Sequence, residues 1–441
     1  MNKLMVGVSG VRGIVNKTLT EEVAQKMGKA FATFVYQGSR KKKMKIGKPK
    51  IGVAQDKRES SKQIKDAFIK GILYTGSNVV DMKVLSTPAT LYNIAKIKLK
   101  AGAVITASHN PEEWNGFKFI KEKGKFFNKE EMEEVYQIYQ EESFWRSKKG
   151  KIVEDLMGSV RRSRGIMDSI GRNEIREKEF KIVIDSPWVE EYLEMLTELN
   201  CTVISIDLQN FNEEKRLKLI AKEVTKNKAH VGFITDSDGD RVRVITEKGE
   251  ILSSEYTLPL VGSWALTHRK GIVVTNLSTS KMIEDVVKTH QCQLIRTKVG
   301  ESNVVEEMIK RGAILGGEGN GGIIDPYIHY TRDALIGICR ILEYMATTEA
   351  KISKLVNSLP KYYMIKENLP LEECKKEFHP LKKLFEGVNF TEEDGIRFNF
   401  PNGWVHVRKS NTEPIVRIIC ETTKLKESEE MIQKVIKELK N

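Results

Sequence analysis

Three times between residues 51 and 322 the chain repeats one succession: an apolar strand, a helix, a second strand, a second helix, and a third strand that opens onto polar residues. Strands are expected over 51–54, 79–84 and 103–106, with helices over 62–74 and 89–97. The second pass has strands over 181–185, 202–207 and 230–235 and helices over 189–199 and 213–226. The third has strands over 271–275, 293–297 and 313–315 and helices over 281–289 and 302–311. Strands alternating with helices in this way bury a largely parallel sheet between helical layers. Ligands of open α/β sheets collect at the carboxyl ends of strands, so the three polar loops are expected to face one shared cleft. Beyond Pro360 the pattern changes to short strands over 395–400, 404–407 and 415–421 and a helix over 428–439. The expected fold class is α/β: three consecutive α/β domains with mixed sheets over 1–150, 151–250 and 251–362, plus a C-terminal α+β domain over 363–441, around a central cleft.

Composition narrows the function classes. A length of 441 residues exceeds one ordinary core, and no run of about 18 apolar residues exists to span a membrane. The first residues lead into a glycine-rich loop without the apolar stretch of a secretory leader. Cys201, Cys292, Cys339, Cys374 and Cys420 are odd in number and widely spaced, as reduced thiols of a cytoplasmic protein would be. The net charge of +13 fits either a nucleic-acid surface or a protein that handles anionic small molecules. The basic tracts Arg40 to Lys43 and Arg161, Arg162, Arg164 have no interleaved aromatic residues and read as solvated loops. No nucleic-acid or membrane partner is therefore expected.

The loops carry the chemistry. Thr106-Ala107-Ser108-His109-Asn110-Pro111 puts a hydroxyl nucleophile at a strand end, with Lys118 shortly after; taken singly, such a Ser-His pair is commonly a turn filler. Asp236, Asp238 and Asp240 alternate directly after an apolar strand, so an extended loop can turn three carboxylates toward one hard cation, for which magnesium is the expected occupant. A calcium-loop reading finds Glu247 at its twelfth position but Arg241 where its glycine belongs, and is rejected. A solvated acidic turn has the same spacing. Arg408, Ser410, Asn411 and Thr412, with Arg417 following, combine guanidinium forks, hydroxyls and a tight turn suited to a phosphate dianion, and equally describe an ordinary turn between strands. Gly7 to Gly13 lets backbone approach a ligand and presents Arg12. Glu318 and Asn320 stand among five glycines as the groups able to read sugar hydroxyls, and Lys298 lies at another strand end of the same unit; a flexible glycine turn would look alike.

Together these segments resemble the α-D-phosphohexomutase superfamily over essentially the whole chain, in the expected order: Ser9-Gly10-Val11-Arg12-Gly13, residues 106–111, 236–241, 317–322 and 408–414. The resemblance implies four domains contributing phosphoserine, metal, sugar and phosphate loops in turn. It makes Ser108 the phosphorylated serine and assigns one Mg²⁺ to Asp236, Asp238 and Asp240 together with a phosphate oxygen on Ser108. Arg12, His109, Lys118, Arg241 and Lys298 would surround the transferring group, with Lys118 as general acid/base. Glu318 and Asn320 would hold ring hydroxyls, and Arg408, Ser410, Asn411, Thr412 and Arg417 the phosphate that does not react. The implied reaction interconverts hexose 6-phosphate and hexose 1-phosphate through a hexose bisphosphate, in a cytoplasmic monomer or homodimer whose partner is the phosphosugar itself.

Several positions depart from common patterns of the superfamily. Gly322 stands where many members have a histidine, whose role is then absent or passes to His329; Val8 replaces a threonine; and Asp185-Ser186-Pro187-Trp188 replaces a glycine-rich turn. The Gly-Glu-Gly-Asn-Gly-Gly loop is most similar to that of phosphoglucosamine mutases, with phosphoglucomutases and phosphomannomutases close behind. Two other classes remain for comparison. In an aspartyl phosphatase Asp236 would be the nucleophile and carry a labile acyl phosphate, and a basic scaffold would show steeply salt-dependent binding and no turnover.

Overall fold

Four sheets organise the computed structural model, which describes residues 4–7, 10–41, 48–108, 110–374, 378–410 and 413–440. In the first three sheets the central order is the same: second strand, first strand, third strand, then a fourth strand running back antiparallel. These are Asn78–Val84, Lys50–Gln55, Ala101–Ile105 and Trp114–Lys121; Thr202–Ser205, Lys181–Asp185, Val231–Thr235 and Val242–Thr246; and Gln293–Thr297, Ile272–Asn276, Leu315–Glu318 and Gly322–Ile324. The first three strands of each set pair in parallel. The third strand joins the fourth in antiparallel register. Strands Ala101–Ile105 and Val231–Thr235 are buried along their whole length, which is why they read as unbroken apolar runs.

Each chemical loop is therefore the turn of a hairpin. The fourth strands were absent from the sequence reading for local reasons. Trp114–Lys121 follows Ser108 so closely that it reads as the tail of the loop, and Gly322–Ile324 has only three residues. The first sheet also extends beyond the repeat: Gly10–Ile14 pairs with Trp114–Lys121, and Ile152–Glu154 joins the far edge alongside Asn78–Val84. The fourth sheet is antiparallel, in the order Tyr363–Pro370, Ile415–Thr422, Gly403–Lys409, Ile396–Phe400 and Asn389–Thr391, with the helix Leu425–Lys440 packed on it.

One hydrophobic cluster, running from Ile166 to Leu359, serves both the second and third sheets, whereas the first and fourth sheets have their own. Across these boundaries runs a polar brace that corrects the reading of Arg161, Arg162 and Arg164 as a solvated loop. They lie on the helix Gly158–Met167, whose phase turns Arg162 inward to 1% exposure while Arg164 stays in solvent. Arg162 donates to both oxygens of Asp333 at 2.9 and 2.6 Å and to Glu191 at 2.8 Å. Glu191 accepts the N–H and hydroxyl of Ser86 from the first unit, and Asp333 caps the helix Ala334–Thr348. Burial alone would raise the Asp333 pKa, but Arg162 and His329 hold it at about 2. Arg162→Ala should cost about 3–5 kcal/mol in denaturant unfolding, because two buried carboxylates lose their counter-ion; a loss near zero would remove the brace from the account. The side chains of residues 40–43 lie outside the described part. Among the described residues no helix is long and apolar enough to cross a membrane.

Candidate active site

Ser108 adopts φ +58, a left-handed conformation that a residue with a Cβ holds only when its surroundings enforce it. The enforcement is visible. Its N–H donates to Thr106 Oγ1 at 3.0 Å, and its carbonyl accepts from Arg58 Nη2 at 2.7 Å and Ser237 Oγ at 2.9 Å. Arg58 donates also to the carbonyls of Asn110 and Pro111, at 2.7 and 2.8 Å, and its Nε lies 3.2 Å from Asp56. A single guanidinium thus moulds the serine loop from beneath. Arg58 went unremarked in the sequence, although it too follows a strand of the first sheet. Arg58→Lys keeps the charge but not the fork; kcat should fall by about 10- to 100-fold with KM nearly unchanged, since small misplacement of a reacting atom has that effect. Steady-state kinetics beside thermal unfolding would check it.

The hydroxyl of Ser108 faces the second unit, donating to Asp238 Oδ2. The same oxygen accepts from Lys118 Nζ at 2.8 Å, while Oδ1 accepts from Thr106 Oγ1 at 3.1 Å. Lys118 comes from Trp114–Lys121, so the hairpin after Ser108 returns the lysine to the serine it left. Arg12, on the neighbouring strand, donates to Asn110 of the same loop.

The acidic loop has its own support. Asp236 Oδ1 accepts the N–H groups of Asp240 and Arg241 at 3.1 and 3.2 Å, closing the turn. Gly239 sits at φ +74, and a Cβ there would lie 2.8 Å from Trp188, whose indole donates to Ser237 O at 2.8 Å. The Asp-Ser-Pro-Trp turn thus buttresses the acidic loop. Oxygens of Asp236, Asp238 and Asp240 all lie within 4.8 Å of one another. Burial and the nearby Asp240 push the Asp236 carboxyl well above its usual range. At Asp238 burial acts in the same direction but Lys118 overcomes it, and at Asp240 Arg332 and Arg241 do so. Asp240 Oδ1 is buried without a hydrogen-bond partner among the described residues. Three hard oxygen donors, mutual repulsion and an unsatisfied buried oxygen fit a divalent cation such as magnesium.

Arg241 approaches Asp236 and Asp240 at 3.7 and 3.6 Å. Glu318 is not in a free glycine loop: it ends the strand Leu315–Glu318 and is buried. Its Oε1 accepts from Asn276 at 2.7 Å, and Oε2 accepts from Asn320 at 3.3 Å and from Arg332, a residue the sequence reading missed. His329 does not replace a histidine at position 322; it is buried, with Nε2 3.0 Å from Asp333 and its ring edge-on to Tyr92.

The remaining expected residues are less gathered. Lys298 is exposed, but the N–H of its neighbour Val299 donates to Asp394 at 2.9 Å, and that carboxylate also accepts from Arg408 Nε at 3.1 Å. Arg408 lies on a strand rather than in the loop, directly across from Arg417, and its Nη2 is buried without a partner among the described residues. Arg417 is half-exposed and pairs with Glu413 at 2.5 Å. The N–H of Ser410 donates to Ile415 O at 2.8 Å. His109, Asn411 and Thr412, like Val8 and Ser9, lie outside the described residues.

Comparison with known proteins finds both family models and relatives that match along the chain. Models of the phosphoglucomutase/phosphomannomutase family match residues 3–146 (α/β/α domain I), 253–363 (α/β/α domain III) and 367–438 (C-terminal domain). A phosphoglucosamine mutase of Methanocaldococcus jannaschii is 34% identical, with 98% of each chain covered. A phosphoglucomutase/phosphomannomutase of Thermococcus kodakarensis is 32% identical over 99% of this chain and 98% of its own. Among solved structures, a phosphoglucomutase/phosphomannomutase family protein from Burkholderia thailandensis superposes with a TM-score of 0.84 at 23% identity, covering 98% of this chain and 97% of its own.

Proposed function

Because the chain belongs to the phosphoglucomutase/phosphomannomutase family, we infer that it is a phosphohexomutase, an isomerase that interconverts hexose 6-phosphate and hexose 1-phosphate with Ser108 as the covalent carrier. The observation that carries this reading is the convergence of the Ser108 hydroxyl and the Lys118 ammonium on one carboxylate oxygen of Asp238. Four domains over 1–150, 151–250, 251–362 and 363–441 would supply the serine, acidic, sugar and phosphate loops.

Asp236, Asp238 and Asp240 would hold a magnesium ion, which when bound offsets the charge of the phosphoryl oxygens. The chain's own residues do the rest. A free hydroxyl of the sugar phosphate attacks the phosphorus on Ser108; the new O–P bond forms as the Oγ–P bond breaks, giving a hexose bisphosphate. Lys118, our candidate acid/base, which Asp238 holds in place, gives its ammonium proton to the departing Ser108 Oγ and takes the sugar hydroxyl's proton in exchange. The bisphosphate then turns over and returns its other phosphoryl group to Ser108. Phosphoryl transfer of this kind is catalysed mainly by positioning and charge neutralisation, which suits Arg12, Arg241 and Lys298 as cations about the group in transit, with His109 beside them. Glu318 and Asn320 would accept ring hydroxyls, and Arg408, Ser410, Asn411, Thr412 and Arg417 would hold the distal phosphate. The buried Arg408 Nη2, which has no hydrogen-bond partner among the described residues, supports that role.

Glucosamine phosphate is the substrate we favour, on the form of the loop around Glu318 and on the identity to the M. jannaschii phosphoglucosamine mutase. A coupled assay of glucosamine, glucose and mannose 6-phosphates, with catalytic bisphosphate and magnesium, tests it. The highest kcat/KM for glucosamine 6-phosphate is expected; a preference for glucose or mannose would transfer the assignment, and no turnover of any would end it.

A further inference from the structure

One buried cation has no part in that scheme. Arg332, 8% exposed, lies among three carboxylates from three segments of the chain. Its Nη2 donates to Asp240 Oδ2 at 2.5 Å, its Nη1 donates to Glu318 Oε2, and its Nε lies 3.3 Å from Glu301 Oε2. Glu301 also accepts the backbone N–H of Arg332 at 2.9 Å and the hydroxyl of Thr331, so the root of the side chain is fixed as well as its tip. A planar fork holds two acceptors at a set separation, which the point charge of an ammonium does not. One arm ties down Asp240 Oδ2, while Oδ1, which Arg241 Nε approaches at 3.6 Å, accepts no hydrogen bond among the described residues. The other arm, with Asn276 on Oε1, fixes the rotation of Glu318.

The stem of Arg332 also accounts for Gly322. A Cβ on Gly322 would lie 2.2 Å from Arg332 Cδ and 2.8 Å from Cγ. Gly322 has no positive φ, so lack of space rather than backbone conformation demands glycine there. A histidine at this position would need the volume that Arg332 occupies.

We propose that Arg332 is a positioning residue that sets the sugar-reading carboxylate of Glu318 in register with the metal-holding Asp240, and that residue 322 is glycine in order to admit it; the proposal rests on the mutase reading above. Two substitutions test it without removing a charge. Arg332→Lys abolishes the fork, and Gly322→Ala displaces its stem. Magnesium binding to sugar-free protein is measured by isothermal titration calorimetry, beside hexose phosphate kinetics and thermal unfolding. Supports of metal ligands typically carry about tenfold or more in affinity or activity, so both variants should bind magnesium about tenfold more weakly and lose about tenfold in kcat/KM, chiefly through KM. A folded Arg332→Lys whose magnesium affinity and KM stay within about twofold of wild type overturns the proposal, as does a Gly322→Ala that changes only its melting temperature. Should the wild-type protein bind magnesium yet turn over no hexose phosphate, the mutase reading falls while the calorimetric comparison still decides the role of Arg332.

Discussion

Ser108→Ala should lower mutase turnover by roughly a thousandfold or more, the scale on which removal of a covalent nucleophile acts, while leaving the fold in place. The reasons lie in the loop. The backbone at residue 108 is held by bonds to its N–H and carbonyl from Thr106, Arg58 and Ser237, none of which uses the hydroxyl. The lost bond from Oγ to Asp238 leaves that carboxylate still accepting from Lys118 and Thr106, so stability should change by only about 1 kcal/mol. Ser108→Gly sharpens the test: it relieves a left-handed residue of its Cβ and should be more stable than the alanine variant by about 1 kcal/mol, yet equally inactive. Activity and melting temperature measured on the pair would separate chemistry from folding. A Ser108→Ala enzyme with substantial turnover would contradict the assignment.

Asp236→Asn should show the opposite pairing of effects from an ordinary core substitution: a large loss of function at little or no cost in stability. An asparagine oxygen can still accept the N–H groups of Asp240 and Arg241 that close the turn. One of three carboxylates crowded within 4.8 Å also loses its charge, which relieves repulsion in the metal-free protein. The melting temperature without magnesium should equal or exceed that of wild type. Wild-type protein should be stabilised by added magnesium, by about 2.7 kcal/mol at a hundredfold excess over Kd, and the variant should lose that response. Turnover should fall by about a hundred- to a thousandfold, as when one preorganised electrostatic contact is removed. Thermal scans with and without magnesium, beside the coupled assay, would check both arms; a variant that keeps its magnesium response would show that the acidic loop is not the metal site.

The repeated strand-and-helix pattern was legible because the strands ending at Ile105 and Thr235 are buried on both faces and read as apolar runs that stop abruptly at polar residues. Those stops mark the loops. The serine and acidic loops meet through the bond from Ser108 to Asp238, and Glu318 reaches Asp240 through Arg332. What sequence reasoning missed depends on contacts between distant segments. Arg58 acts on carbonyls about fifty residues away, and Arg332 acts on carboxylates from two other strand ends. No local spacing records either. Arg162 was misread because a cluster of basic residues carries no mark of helix phase, which here places one of three arginines within four residues in the interior. Gly322 was visible as a departure, but its cause is the stem of a side chain ten positions later.

The most direct test of the account is to locate the phosphoryl group. Wild-type protein incubated with a hexose 1,6-bisphosphate and magnesium, then digested and mapped by mass spectrometry, should carry one acid-stable phosphate on Ser108. A hexose monophosphate should discharge it. Phosphate on Asp236, labile to acid and hydroxylamine, or a Ser108 that stays unmodified in a protein that turns over hexose phosphates, would contradict it.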